Sequence, residues 1–330
     1  MTTATGSVVM PYRRCGSSGL LLPAISLGLW QGMGSYRDES VARDIILRAF
    51  ARGVTHFDLA NNYGTPAGAS ESLFGRILKD LPREQIVVST KAGHRMWPGP
   101  YGDGGGRKYL IQSCEQSLKR LGLDQVDLFY SHRPDPETDL EETLGALDHL
   151  VRQGKALYAG LSNYPDPRLT RALDIVQHRG FAPITIHQPR YSLLDRRAER
   201  EVLPTTGVRG VGVIAFSPLE QGILAGRYRN GLPPDSRAVQ NQGNGGLTRE
   251  ALEKNAAKIE AARRLEPIAA KRGQTLAQLS IAWLLKDPRV TSVLIGASTV
   301  AQLDENLDAV ANLAFTAEEL KEIDRACGVG

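Results

Sequence analysis

Apolar residues in this chain gather into short runs, each followed by a stretch whose apolar positions fall three or four residues apart. Eight runs read as strands: Ala24–Leu29, Thr55–Ala60, Ile86–Lys91, Val126–His132, Ala156–Leu161, Ile184–Gln188, Val211–Ser217 and Ser292–Ala297. Some are continuously apolar and others alternate, as strands covered on both faces can. Between them, Glu39 to Arg52 places Val41, Ile45, Ile46, Ala49 and Phe50 at helical spacing and stops at Gly53. Lys108 to Leu121 and Asp139 to Gln153 repeat the pattern and stop at Gly122 and Gly154; Gln274 to Leu285 and Val300 to Ala311 repeat it later. Strand and helix in alternation put the strands parallel in one sheet.

Residues 12–25 read as a hairpin, Tyr12-Arg13-Arg14 turning through Gly16 and Gly19 into Leu20-Leu21-Leu22. Positive φ is expected at both glycines. Residues 218–248 alone break the rhythm, a Gly/Pro/Asn-rich connection too long for an idle loop. The prediction is an α/β fold, a (β/α)8 TIM barrel in one domain over residues 1–330, with the N-terminal hairpin closing the bottom. An open doubly wound sheet competes. However, Gly28 to Gly32 does not fit GxGxxG, and Gly207, Gly210 and Gly212 precede a strand rather than follow one.

Composition narrows the function. The 330 residues are 42% hydrophobic and 23% charged, ordinary for a globular chain. A net charge of +4 arises from 40 basic and 36 acidic residues with no basic tail, which argues against nucleic-acid binding. No apolar stretch is long enough to span a membrane, and Met1 to Ser7 lacks a signal-peptide core. Three cysteines without a CxxC pair fit a reducing compartment, so a cytoplasmic location is expected and a zinc site is not.

Four polar residues carry the chemistry. Asp58, Lys91 and His132 end three successive strand runs, and Tyr63 lies just after the first of them. Parallel strands bring their C-terminal ends to one rim, where barrel enzymes keep their active sites. A carboxylate, a phenol, an ammonium and an imidazole on that rim can transfer a proton. Each alone has an ordinary explanation: a turn cap, a half-buried loop aromatic, a surface charge, a satisfied histidine. Their joint position points to function. His56, His94, His149, His178 and His187 have no such support and stay undecided.

His56-Phe57-Asp58-Leu59-Ala60-Asn61-Asn62-Tyr63-Gly64, Ser89-Thr90-Lys91 and Tyr130-Ser131-His132 together resemble the signature of the aldo-keto reductases. With the loop Trp97-Pro98-Gly99-Pro100-Tyr101-Gly102, the chain is most similar to the bacterial L-glyceraldehyde 3-phosphate reductase branch, related to potassium-channel β-subunits. The resemblance runs from the hairpin to Asn306. It implies NADPH-dependent reduction of small aldehydes, with L-glyceraldehyde 3-phosphate the favoured substrate and methylglyoxal a second. It implies a catalytic tetrad of Asp58, Tyr63, Lys91 and His132. Tyr63 would be the general acid, Lys91 would lower its pKa, Asp58 would hold Lys91, and His132 would orient the carbonyl.

By the same resemblance, the nicotinamide end of the cofactor meets Trp30, Asp58, Ser162, Asn163 and Gln188, with Tyr191 as a stacking candidate. Ser217, Pro218, Leu219, Gln221 and Gly222 lie along the pyrophosphate, under a cofactor-covering loop at 218–248. Arg227, Arg237, Gly296, Ser298, Gln302, Glu305 and Asn306 serve the 2′-phosphate end. Arg227 and Glu220 depart from the common family residues, and the Glu220 side chain is expected to point away from the anionic cofactor. Trp30 and Trp97, with Tyr63 and His132, would line the substrate pocket, packing being the competing reading for both tryptophans. From position alone, not from the resemblance, Arg107 or Lys108, near a helix start, would anchor a phosphate if the substrate carries one. Homo-oligomers, tetramers or octamers, are common among the resembling proteins. A cofactor-loaded regulatory subunit with little turnover is the alternative function; an intact tetrad favours turnover.

Overall fold

The computed structural model describes residues 9–229, 231–234 and 248–329. Two short antiparallel strands, β1 (Tyr12–Arg14) and β2 (Leu21–Pro23), form a hairpin. Eight parallel strands follow: β3 (Ile25–Gly28), β4 (His56–Asp58), β5 (Val87–Ala92), β6 (Val126–Ser131), β7 (Ala156–Ser162), β8 (Ile184–Gln188), β9 (Gly212–Ala215) and β10 (Val290–Ile295). They pair in chain order, and β10 closes the barrel on β3. This is the expected (β/α)8 TIM barrel.

The helices keep the predicted bounds to within a residue or two, except for the last. Glu39–Ala51, Arg107–Leu121, Leu140–Arg152 and Leu276–Leu285 are regular, whereas Val300–Leu307 runs on as a 3-10 turn over Asp308–Ala311. Each amphipathic helix turns its apolar stripe to the sheet; Glu39–Ala51 buries Ala42, Ile45, Ile46 and Ala49.

Two apolar layers result, because successive residues of a strand face opposite ways. Phe129 of β6 joins the large core under the helices, while its neighbours Leu128 and Tyr130 join Ile186, Ile214 and Leu294 inside the barrel. Leu20, Leu22 and Cys15 of the hairpin complete that inner cluster. The Cys15 thiol donates to the Thr185 carbonyl early in β8, and Ser17 N–H donates to the Gly210 carbonyl just before β9. The hairpin thus seals the end at which the strands begin. Its turn departs from expectation. Gly16 has φ +56 and packs so close to Gly210 that a Cβ would meet its carbonyl oxygen at 2.1 Å, whereas Gly19 needs no left-handed backbone.

The long connection starts as a 3-10 turn over Glu220–Ala225, and a helix at Arg249–Lys254 follows it. Arg237 lies outside the described residues. No helix among the described residues is long and apolar enough to cross a membrane.

Candidate active site

The rim where the strands end surrounds a cavity of about 800 Å³. Asp58, Tyr63 and His132 line it together with Trp30, Asn62, His94 and Arg133. Lys91 sits directly behind, fully buried. Its ammonium donates to Asp58 Oδ2 at 2.5 Å and to the Leu59 carbonyl at 2.6 Å. It also lies 5.1 Å from the centre of the Tyr63 ring and 5.7 Å from that of Tyr130. Tyr63 packs between Trp30, ring centres 6.1 Å apart, and His132, 5.8 Å away and edge-on.

Burial dominates the electrostatics of the site. Burial raises the Tyr63 phenol well above its usual value, and the Asp58 charge adds to the shift. Lys91, the residue expected to lower it, is itself bonded to a carboxylate and a carbonyl. Burial pushes Lys91 itself down, opposed by Asp58. Burial also drives His132 well below the usual imidazole value, with Lys91, His94 and Arg133 adding to the effect. At neutral pH the site therefore presents a protonated phenol and a neutral imidazole.

Asp58 is held from behind by residues to which the sequence assigned no role. Ser89, its register partner on β5, donates to Asp58 Oδ1 at 2.6 Å. Ser89 therefore accepts from His56 Nε2 at 2.9 Å, which leaves His56 Nδ1 to accept from Ser26 Oγ at 2.9 Å. Ser26 in turn lies 2.7 Å from Ser292 Oγ. The relay fixes His56 as the neutral Nε2–H tautomer, and burial lowers its pKa to about 4. A signal for it existed: His56 and Ser89 each lie two residues before a tetrad member, on the same face of the strand.

The same cavity carries most of the expected cofactor residues on its wall. Ser162, Asn163, Gln188, Ser217, Pro218, Leu219, Gln221, Gly222, Arg227, Gly296, Ser298 and Gln302 all line it. Asn163 is held at φ +61 by Nδ2 bonds to the His132 carbonyl at 3.0 Å and to Ser162 Oγ at 3.1 Å. Gln188 Nε2 reaches Asp58 Oδ1 at 3.3 Å. Thr299 is the N-cap of the helix beginning at Val300, and Ser298 N–H bonds Gln302 Oε1 at 2.7 Å. Glu220 points away, as expected. It is buried against Ser192 at 2.7 Å, Arg190 at 2.8 Å and Lys258 at 2.9 Å.

Besides Lys91, six expected residues do not line the cavity. Tyr191 is fully buried elsewhere, its ring 5.8 Å from Trp283 and its hydroxyl donating to Glu199; Phe216 and Tyr228 are aromatic residues on the wall. Trp97 packs against Tyr109, ring centres 5.4 Å apart. Asn306 is buried, Glu305 is exposed, and neither joins Gln302 on the wall. Arg107 and Lys108 are exposed: Arg107 donates to the Gly145 carbonyl, and Lys108 covers the Tyr101 ring.

No cluster of metal-ligating side chains exists among the described residues. Cys15, Cys114 and Cys327 are all free thiols.

Comparison with known proteins identifies the family. The profile of the Aldo/keto reductase family matches residues 24–327. The L-glyceraldehyde 3-phosphate reductase of Escherichia coli K12 is 51% identical over 322 residues, covering 96% of this chain and 92% of that protein. A probable voltage-gated potassium channel subunit beta of Arabidopsis thaliana is 36% identical over 311 residues, covering 91% of each. With an unbroken family match from the first barrel strand to the last helix, the chain belongs to the aldo/keto reductase family and is an oxidoreductase.

Proposed function

We propose that this protein reduces small aldehydes to alcohols with NADPH, favouring L-glyceraldehyde 3-phosphate and accepting methylglyoxal. The observation that carries the reading is the placement of Tyr63 and His132 on one cavity wall, backed by the buried Lys91–Asp58 pair. The relatives named as L-glyceraldehyde 3-phosphate reductases support the substrate choice.

The cavity suits a nicotinamide dinucleotide. Ser162, Asn163 and Gln188 supply amide and hydroxyl groups beside the tetrad, and Asn163 Oδ1 accepts no hydrogen bond from the described residues. Phe216 offers an aromatic face. Gln221 and Gly222, at φ +56 and +103, turn backbone toward the cavity where a pyrophosphate would lie, and Arg227 brings a cation. Bound NADPH would supply the hydride. Tyr63 donates its proton to the carbonyl oxygen as the carbon–oxygen π bond breaks, and the Lys91 ammonium stabilises the phenolate formed. Neutral His132 bonds the same oxygen and fixes the carbonyl's orientation. Location in the cytoplasm belongs to this reading by the sparse, unpaired cysteines, and assembly into a homo-oligomer by resemblance.

The test is steady-state NADPH consumption with L-glyceraldehyde 3-phosphate, methylglyoxal and a neutral aromatic aldehyde. Fast turnover of a small aldehyde is expected. Tight NADPH binding with negligible turnover on all three would favour the regulatory-subunit reading instead.

A further inference from the structure

A phosphorylated aldehyde needs a cation near the catalytic end of the cavity, and Arg107 and Lys108 do not reach it. Among the described residues, the cationic side chains on the wall are Arg37, Arg133 and Arg227. Arg37 donates to the Ala297 carbonyl at 2.6 Å, on the side that carries Ser298 and Gln302. Arg227 follows Gln221 and Gly222 on the loop after β9. Arg133 directly follows His132 and so belongs to the end where the carbonyl is reduced.

We propose that Arg133 anchors an anionic group of the substrate, a phosphate monoester where the aldehyde carries one. Its guanidinium is held in place beforehand. Nε donates to the Gly93 carbonyl at 2.7 Å and Nη2 to Asp103 Oδ1 at 2.9 Å. Nη1 has no hydrogen-bond partner among the described residues, which leaves donors for an incoming anion. The planar fork suits two phosphate oxygens better than an ammonium would.

Asp103 gives the site its selectivity. The ion pair is 40% and 44% exposed, and a pair in that setting is weak. A neutral aldehyde meets a guanidinium already matched by a carboxylate. A phosphate monoester brings nearly two negative charges and displaces or shares that partner. Asp103 Oδ1 also accepts from Gly104 N–H at 2.7 Å, so it retains a bond when Arg133 turns to substrate. Only the naming of the natural ligand rests on the proposed aldehyde reductase activity; the anion site does not.

Calorimetric titration of glycerol 3-phosphate, beside glycerol, into the full chain saturated with NADPH tests the site without turnover, because ligand and cofactor are both in their reduced forms. Arg133→Gln is expected to raise the Kd of glycerol 3-phosphate about ten- to a hundredfold, the usual worth of charge-assisted hydrogen bonds. Asp103→Asn removes the competing carboxylate and is expected to lower it severalfold. Absence of binding to the wild type, an unchanged Kd in Arg133→Gln, or weakening by both variants would overturn the proposal. A general structural role for Arg133 predicts weakening by both. If the expected pattern holds while L-glyceraldehyde 3-phosphate is not reduced, the anion site stands and the substrate assignment falls.

Discussion

Lys91 and Asp58 form an ion pair shut off from solvent, with side-chain exposures of 0% and 1% and a separation of 2.5 Å. Removing one partner strands the other as a buried charge, at a cost of about 3–5 kcal/mol. Asp58→Asn and Lys91→Met are each expected to lower unfolding free energy by that order. The double variant should lose less than the sum of the two, with reductase activity abolished all the same. Urea unfolding of the three variants checks this; strictly additive losses would mean that the two side chains do not stabilise each other.

Glu220 is expected to control cofactor affinity from outside the cavity. It stands at φ +45 with Gln221 at φ +56 and Gly222 at φ +103 next in the chain, three successive left-handed residues. Burial opposes its charge, but Arg190, Lys258 and Ser192 outweigh that and hold its carboxyl below the usual range. Glu220→Ala frees the turn that presents Gln221 and Gly222, and the Kd for NADPH is expected to rise about tenfold, a loss comparable to one or two hydrogen bonds. Glu220→Gln, which can keep the Ser192 bond, should fall between. Fluorescence titration with NADPH gives the values; equal affinity in all three proteins would contradict the role.

His56 should make the fold acid-sensitive. Its pKa is about 4 in the folded chain, against 6.5 for an unperturbed imidazole. Between those values the unfolded chain binds the extra proton, so stability is fully present above pH 6.5 and declines toward pH 4. The difference is worth up to about 3 kcal/mol. His187, lowered to about 3 by burial, acts in the same direction. Unfolding free energy measured at pH 7, 5 and 4 should drop less steeply in His56→Gln than in the wild type. An identical slope would remove His56 from the account.

Gly160 shares a register row with Tyr130, which in turn pairs with Lys91. A Cβ on Gly160 would lie 2.4 Å from Tyr130 Cδ1 in a fully packed interior. Gly160→Ala is expected to destabilise the fold by about 1–3 kcal/mol, as overpacking does. It should also lower kcat, because Tyr130 is pressed toward Lys91. Thermal unfolding and steady-state kinetics on the same sample separate the two effects.

The barrel was legible because buried parallel strands leave apolar runs and their helices leave stripes, and both repeat. The same alternation placed Asp58, Lys91 and His132 on one rim. Legibility ended where the chain left its strands. Tyr191 lies beyond the end of β8, where period two no longer fixes direction, and the loop turns it under Trp283 while Phe216 takes the wall. Glu305 and Asn306 share a helix face with Gln302 by spacing, yet within one turn Glu305 faces solvent and Asn306 is buried. Tyr63 illustrates a different limit. Its neighbours were foreseen, but its acidity depends on how deeply the fold buries it beside Asp58, which only the structure reveals.

Single-turnover oxidation of bound NADPH by L-glyceraldehyde 3-phosphate, wild type beside Tyr63→Phe, bears most directly on the central claim. Proton donation by Tyr63 predicts a rate lowered by at least about a hundredfold in the variant, the ordinary scale of general acid catalysis, with NADPH affinity retained. A variant that turns over at the wild-type rate would show that the proton comes from elsewhere.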